Sequence, residues 1–314
     1  MRTYIFKRLL GVLLNLVLVS IFIFALLRLV PGDPSAAVLG ADASPEQFER
    51  FREEHGLNDS VVTQYFRWAG GVLHGDFGKS LRTSFPVGDE FMSRLPRTLE
   101  IVVLSFSMTV ALGIVGGVVS ATRQNSLSDY SLRFFTILGL SIPGFLLLTL
   151  LLILPARWWD YAPPFGSTDF FDDPLANLRL FVPASLLVAV SGAAVLMRLT
   201  RSAFLEELRQ DYMRTARSKG LTERVVIYRH GFRNALPPIL TLAALQLGNQ
   251  LNGSVILESV MGIPGLGAWA LAAVRVNDYP IIMAVALYTA ALLMVISLVV
   301  DILYAVFDPR VRYS

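Results

Sequence analysis

Six stretches of nearly continuous apolar residues alternate with polar connections along the chain. They run near Leu9–Val30, Thr98–Ser120, Leu132–Leu154, Leu180–Met197, Leu236–Val260 and Ile281–Phe307. Crossing the hydrocarbon core of a bilayer takes roughly 20 helical residues, so each stretch is read as a membrane span. The fourth is short and starts around Pro183. In lipid, every backbone polar group of a helix is satisfied inside its own segment, so the predicted class is all-α with six transmembrane helices. The first stretch follows Arg2, Lys7 and Arg8, as the core of a signal peptide would. Its apolar core nevertheless exceeds the about 7–15 residues of a signal core, and no small-x-small pattern follows it. It is expected to remain as the first span.

Between the spans the polar segments differ in length and charge. Residues 31–97 hold seven basic and ten acidic residues, and they read as a small folded element. Ser44-Pro45-Glu46 has the form of a helix start, with Ser as cap and Pro in the first helical position. Phe48, Phe51 and Arg52 give that helix its apolar stripe. A second helix is predicted over Ser60–Leu73, with Val61, Tyr65 and Trp68 on one side. Gly75–Pro86 is rich in turn residues. Residues 155–179 contain Pro155, Pro163, Pro164 and Pro174 and are expected to be extended or irregular. The expected organisation is a stub and first helix over 1–31, an extracytoplasmic segment over 32–97, and a five-helix core over 98–314.

Basic residues set the orientation. Arg2, Lys7 and Arg8, then Arg123 and Arg133, then nine Lys and Arg between Arg198 and Arg233, then Arg310 and Arg312, all fall on one side of a six-span chain. The opposite short connections hold Arg157, Arg179 and Arg275. Positive charge stays on the cytoplasmic side, so both termini are expected there.

Composition narrows the classes. Of 314 residues, 54% are hydrophobic and 16% charged; a soluble domain carries about 25% charged residues. There is no Cys, hence no disulfide framework or thiol chemistry. His55, His74 and His230 lie outside the apolar runs, so no His-based metal site is expected within the membrane. Gly78-Lys79-Ser80 lacks the glycine five positions earlier that a phosphate-binding loop requires, because Leu73 stands there, and it is read as a turn.

The most patterned polar segment is the connection over 198–233. Arg209–Ser218 reads as a short helix, stopped by Lys219 and Gly220. Thr222 is placed to cap a second helix with Glu223 in its first turn, where the macrodipole favours an acid. Two short helices around Gly220 would form a compact knob. The plainer reading is a basic inner loop that only sets topology.

DYMRTARSKGL followed by RHGFRNALPP resembles the permease loop of bacterial binding-protein-dependent ABC importers, in particular the oligopeptide/dipeptide/nickel branch. The broader motif is Glu-Ala-Ala, three residues, then Gly. Arg214 and Thr215 depart from it, while Ala216 and Gly220 keep their places. FALLRLVPGDP, HGDFGKS, SRLPRTLE, LGLSIPGF, ESVMGIPGLG and VVDILYAVFDPRVRY extend the resemblance over the whole chain. It implies a type I importer permease without enzymatic activity of its own. Asp211, Arg214, Thr215, Ala216, Lys219 and Gly220 would form a coupling helix seated in a separate ABC ATPase subunit. It further implies a homologous second permease subunit and an extracytoplasmic solute-binding protein. ATP and Mg would be held on the ATPase subunits and no cofactor on this chain. The setting is the bilayer of the bacterial inner membrane, and no nucleic-acid partner is implied. The alternative is an ion-gradient-driven secondary transporter, which usually needs inverted repeats or charged pairs in the bilayer. A membrane enzyme is a third class, without a supporting constellation.

Polar residues inside a span mark function by default. Gln246, Asn249, Gln250 and Gly253 recur at one-face helical spacing in the fifth span. They are read as the translocation path for a polar solute, or alternatively as hydrogen bonds that hold the bundle together. Glu258, Pro264, Gly265 and Gly267 precede an apolar stretch too short to span, over Ala268–Val276. By resemblance they would form the outer gate.

Overall fold

The computed structural model describes residues 2–29, 34–40, 43–161 and 165–307. Among these residues all regular structure is helical, apart from one isolated bridge between Lys79 and Pro86. Pro163, Pro164, Asp308 and the basic tail residues Arg310 and Arg312 lie outside the described residues.

The helices are α1 (Arg2–Leu29), α2 (Pro34–Leu39), α3 (Pro45–Glu54), α4 (Val61–Leu73), α5 (Val87–Thr122), α6 (Leu127–Ser141) and α7 (Gly144–Trp159). Then come α8 (Pro174–Leu208), α9 (Asp211–Ser218), α10 (Glu223–Val225), a π-helical turn over Val226–Phe232, α11 (Arg233–Met261), α12 (Leu266–Arg275) and α13 (Tyr279–Phe307). Four stretches are long and apolar enough to cross a membrane alone: Phe6–Leu29 of α1, α5, α8, and Tyr279–Val299 of α13. Two further spans arise only if α6 is taken with α7, and the helix ending at Met261 with α12.

The third predicted span, Leu132–Leu154, is therefore not one helix. It is α6 and α7, bent by 97° at their junction. Pro143 brings no N–H to continue the ladder and disfavours helical geometry at the residue before it. Ile142 is accordingly extended, with φ −97° and ψ 120°. The second and fourth spans are longer than their apolar cores, because Pro96 and Pro183 lie inside α5 and α8 rather than at their starts. The connection expected to be irregular over 155–179 is partly helical: α7 continues through Pro155, and Pro174 opens α8 behind the cap Asp173.

Contacts divide the chain into two compact units, one of Met1–Thr98 with Pro264–Leu298, the other of Leu99–Ile263 with Val299–Ser314. In the first unit the predicted start of α3 is present. Ser44 accepts from Gln47 N, and the Gln47 side chain accepts from Ser44 N, closing a capping box. Phe24 of α1 packs edge-on against Tyr65 of α4 at 5.5 Å, and Ser20 and Tyr65 share a hydrogen bond of 2.9 Å. The Gly75–Pro86 turn is tied down by buried Asp278, which accepts from Ser80 Oγ and Leu81 N. Val87, Phe91, Leu266, Trp269 and Ala284 form the apolar core of this unit.

The second unit packs α8 against α5, α6, α7 and α11. One core gathers Ile101, Leu148, Phe181, Leu257 and Ile263, and another gathers Leu196, Phe204, Ala235 and Ile239. Close helix approach depends on small residues. A Cβ on Gly113 would come within 2.8 Å of Leu196, and one on Gly117 within 2.5 Å of Thr200. Without a hydrophobic driving force between helices in lipid, such backbone proximity supplies much of the attraction.

Candidate functional site: an exposed loop helix and a polar cavity

Arg209 closes α8, so α9 begins two residues later than the sequence pattern indicates. Gly220 has φ +75°, the left-handed conformation that only glycine adopts without strain. The Gly220 turn is clasped from outside: Arg217 Nη2 and Nε donate to the Glu223 carboxylate at 2.9 and 3.2 Å. These bonds hold the Glu223 carboxyl below its ordinary range. The pair is largely exposed, so its contribution is small; it is present at neutral pH and lost as pH falls.

Asp211, Arg214, Thr215, Lys219 and Gly220 are exposed together on this turn. Ala216 is not. It is buried with Met213 and Val226, against Leu208, in a small core beneath α9. Its small side chain serves the packing of α9 on the chain itself. Gly231 completes that packing, since a Cβ there would sit 3.2 Å from Met213. The second short helix is likewise not separate. Thr222 makes no side-chain cap bond, and α10 runs through the π-helical turn straight into α11. The knob is one short helix folded back on the root of a span.

Gln246, Asn249, Gln250 and Gly253 do come together. With Ser191 and Gly192 of α8 and Gly144 at the start of α7, they line a cavity of about 180 Å³. Their roles differ. Gln250 is buried and donates to Thr109 Oγ1 of α5 at 2.7 Å, and Thr109 donates to Ala189 O of α8 at 3.3 Å. Gln250 therefore bonds three helices together. Gly253 allows close approach, as a Cβ there would lie 2.8 Å from Val188 of α8. Asn249 is exposed and donates to Gln246 Oε1 at 3.2 Å, leaving amide capacity facing outward.

The residues read as a gate fall in both units. In one, Glu258 is fully buried near the end of α11, and Gly262, with φ +65°, ends that helix. In the other, Gly265 precedes α12, Gly267 is buried within it, and Leu266 N donates to Thr98 Oγ1 at 2.8 Å. The short apolar stretch is indeed a helix of ten residues.

One constellation escaped the sequence reading. Asp129, fully buried at the start of α6, accepts from Arg201 Nε and Nη2 at 3.0 and 3.1 Å, from Ser120 Oγ, and from Asn125 N. It joins α5, α6 and α8 at one point. The available signal was Ser126-x-x-Asp129 ahead of an apolar run, the pattern of a helix start. Ser126 does accept from Asp129 N.

Comparison with known proteins accounts for the whole length. Residues 113–313 match the family described as "Binding-protein-dependent transport system inner membrane component", and residues 1–112 match its N-terminal companion. A Brucella abortus (strain 2308) protein named for a peptide transport system, as its permease, is 40% identical over all of both chains. The oligopeptide transport system permease protein AppB of Bacillus subtilis is 37% identical, and the glutathione transport system permease protein GsiC of Escherichia coli K12 is 35% identical. Both matches span the full length of both chains. Among solved structures, the inward-facing MetNI methionine ABC transporter shares the fold. It has a TM-score of 0.50 and 18% identity, over 69% of this chain and 97% of that one. By these matches over its entire length, the chain belongs to the binding-protein-dependent transport system inner membrane component family.

Proposed function

We propose that the chain is the pore-forming permease subunit of an ATP-driven importer of peptides or similar small polar solutes. Membership of a binding-protein-dependent transport family supports the importer class, and the names of the relatives support the solute. The observation that carries the coupling part is the α9 turn. It presents a group of exposed polar residues on a short helix packed firmly against the root of α11. In this reading Asp211, Arg214, Thr215, Lys219 and Gly220 meet an ATPase subunit over 209–229, with Ala216 as the packing residue beneath. ATP and Mg are bound by that subunit, and this chain holds no cofactor. A homologous second permease completes the pore, and a solute-binding protein docks on the extracytoplasmic side. Both termini are cytoplasmic. Asn249 and Gln246 face the solute path, and Glu258, Pro264, Gly265 and Gly267 form the outer gate.

The test is uptake into proteoliposomes holding the assembled complex, with ATP inside and the loaded binding protein outside. Proline cannot take the positive φ of position 220, so Gly220→Pro breaks the turn. The variant is expected to insert normally, to lose the ATPase on co-purification, and to lose uptake. ATP-independent uptake that collapses with a protonophore would instead establish a secondary transporter.

A further inference from the structure

Two cavities of the second unit meet along α6 and α8. The larger, about 620 Å³, lies where these helices reach the basic loop and is lined by Arg133, Arg198, Arg201, Arg209, Ser202 and Glu206, among others. Arg201 is committed to Asp129. No ion pair among the described residues takes up Arg133, Arg198 or Arg209, and all three side chains are exposed. With Arg201 neutralised by Asp129, a single carboxylate, that of Glu206, faces three further guanidinium groups, so the cavity keeps a surplus of positive charge.

The second cavity, about 420 Å³, is almost wholly apolar. It lies in the angle opened by the bend between α6 and α7, with α8 as its floor, and is lined by residues such as Leu112, Phe135, Leu138, Leu147 and Val190. Thr136 and Met197 line both cavities and form the seam between them. Thr136 Oγ1 is bonded to Leu132 O and Met197 Sδ, so no free polar group interrupts the passage. The apolar floor is continuous because Gly139 lets α6 settle on α8, a Cβ there lying 3.1 Å from Ala194.

We propose that this composite cleft binds one anionic glycerophospholipid. Its phosphate lies among Arg133, Arg198 and Arg209, and an acyl chain fills the groove in the α6–α7 angle. Three observations converge on that occupant. Guanidinium groups match phosphate oxygens in bidentate geometry. Basic pockets between transmembrane helices near the membrane surface suit anionic headgroups. The charged cavity also opens into an apolar one, which a free anion does not use and a neutral lipid does not justify. The lipid would brace the bent α6–α7 span, which has no straight helix to hold its shape, against α8 one turn before the α9 knob. The inference depends on the chain lying in a bilayer and not on which solute is carried.

The experiment is native mass spectrometry of the whole transport complex, purified in mild detergent and offered phosphatidylglycerol or phosphatidylcholine of the same acyl chains. The expected result is selective retention of phosphatidylglycerol. In the variant R133Q/R198Q its affinity should fall by roughly thirtyfold, the loss expected for two interfacial charges. The single variants R133Q and R198Q, each at an exposed position outside the ATPase-facing segment, are expected to lose roughly fivefold and guard against misassembly of the double variant. Equal retention of the two lipids would overturn the proposal, as would unchanged affinity in all variants. Displacement of the phosphatidylglycerol by inorganic phosphate would reveal a free-anion site instead. A complex that retains neither lipid would likewise overturn the proposal.

Discussion

At the scale of single residues, the polar face of α11 separates into two kinds of group. Sequence spacing puts Gln246, Asn249, Gln250 and Gly253 on one face, and they do share a cavity. Spacing does not distinguish a side chain that meets solute from one that meets a neighbouring helix. Gln250 is bonded to Thr109, and Gly253 is pressed against Val188, while Asn249 keeps an exposed amide. Gln250→Leu is expected to remove an interhelical bond of about 0.6 kcal/mol and to leave Thr109 less well satisfied. It should lower the melting temperature of the assembled permease by a few degrees, with uptake reduced in proportion to folded protein. Asn249→Leu should leave melting unchanged and slow uptake per folded complex. A light-scattering melt and a vesicle uptake assay on both variants check this, and the reverse pattern would exchange the two roles.

At the scale of elements, the ends of the helices are where charge and packing act together. Asp129 is the clearest case, because one buried carboxylate serves the end of α5, the start of α6 and the inner part of α8. Removing one partner of a buried ion pair leaves the other charge uncompensated, which costs about 3–5 kcal/mol when both are buried. Arg201 keeps 22% of its side chain exposed, which lowers the cost. Asp129→Asn is therefore expected to cost roughly 2 kcal/mol. The readout is faster trypsin cleavage near Arg123 in the purified complex, since the α5–α6 turn would be released first. Asp129→Asn combined with Arg201→Leu should recover part of the loss. An unchanged cleavage rate in Asp129→Asn would mean that the clasp contributes nothing to holding the three helices. The same scale explains Ala216: an alanine four residues before Gly220 looks like a surface concession to a partner. Its position directly over Val226 makes it a core residue of the knob.

At the scale of the whole molecule, the testable quantity is topology. The alternation of basic and non-basic connections predicts that Lys219 is cytoplasmic and that Glu54 and Asp169 are not. All three side chains are exposed. The chain has no native Cys, so single substitutions Lys219→Cys, Glu54→Cys and Asp169→Cys give clean labelling with a membrane-impermeant maleimide. In right-side-out vesicles the last two should react and the first should react only after permeabilisation. Labelling of Lys219→Cys in intact vesicles would remove the α9 turn from the reach of any ATPase.

The sequence alone determined the features that follow from local chemistry. Apolar length marked the regions from which four to six membrane spans arise. A glycine after a basic turn located the left-handed end of α9, and Ser44-Pro45 located the start of α3. The order of motifs identified the family over its full length. Tertiary structure decided what depends on residues distant in the chain. It bent the third span at Pro143, because a proline weakens a helix and only neighbouring helices determine whether the break opens into an angle. It turned Ala216 inward, because the facing Val226 lies beyond the turn. It paired Asp129 with Arg201, 72 residues away, and Asp278 with Ser80, 198 residues away. Helical periodicity specifies which residues share a face, but the neighbour that the face meets is set by how the helices pack.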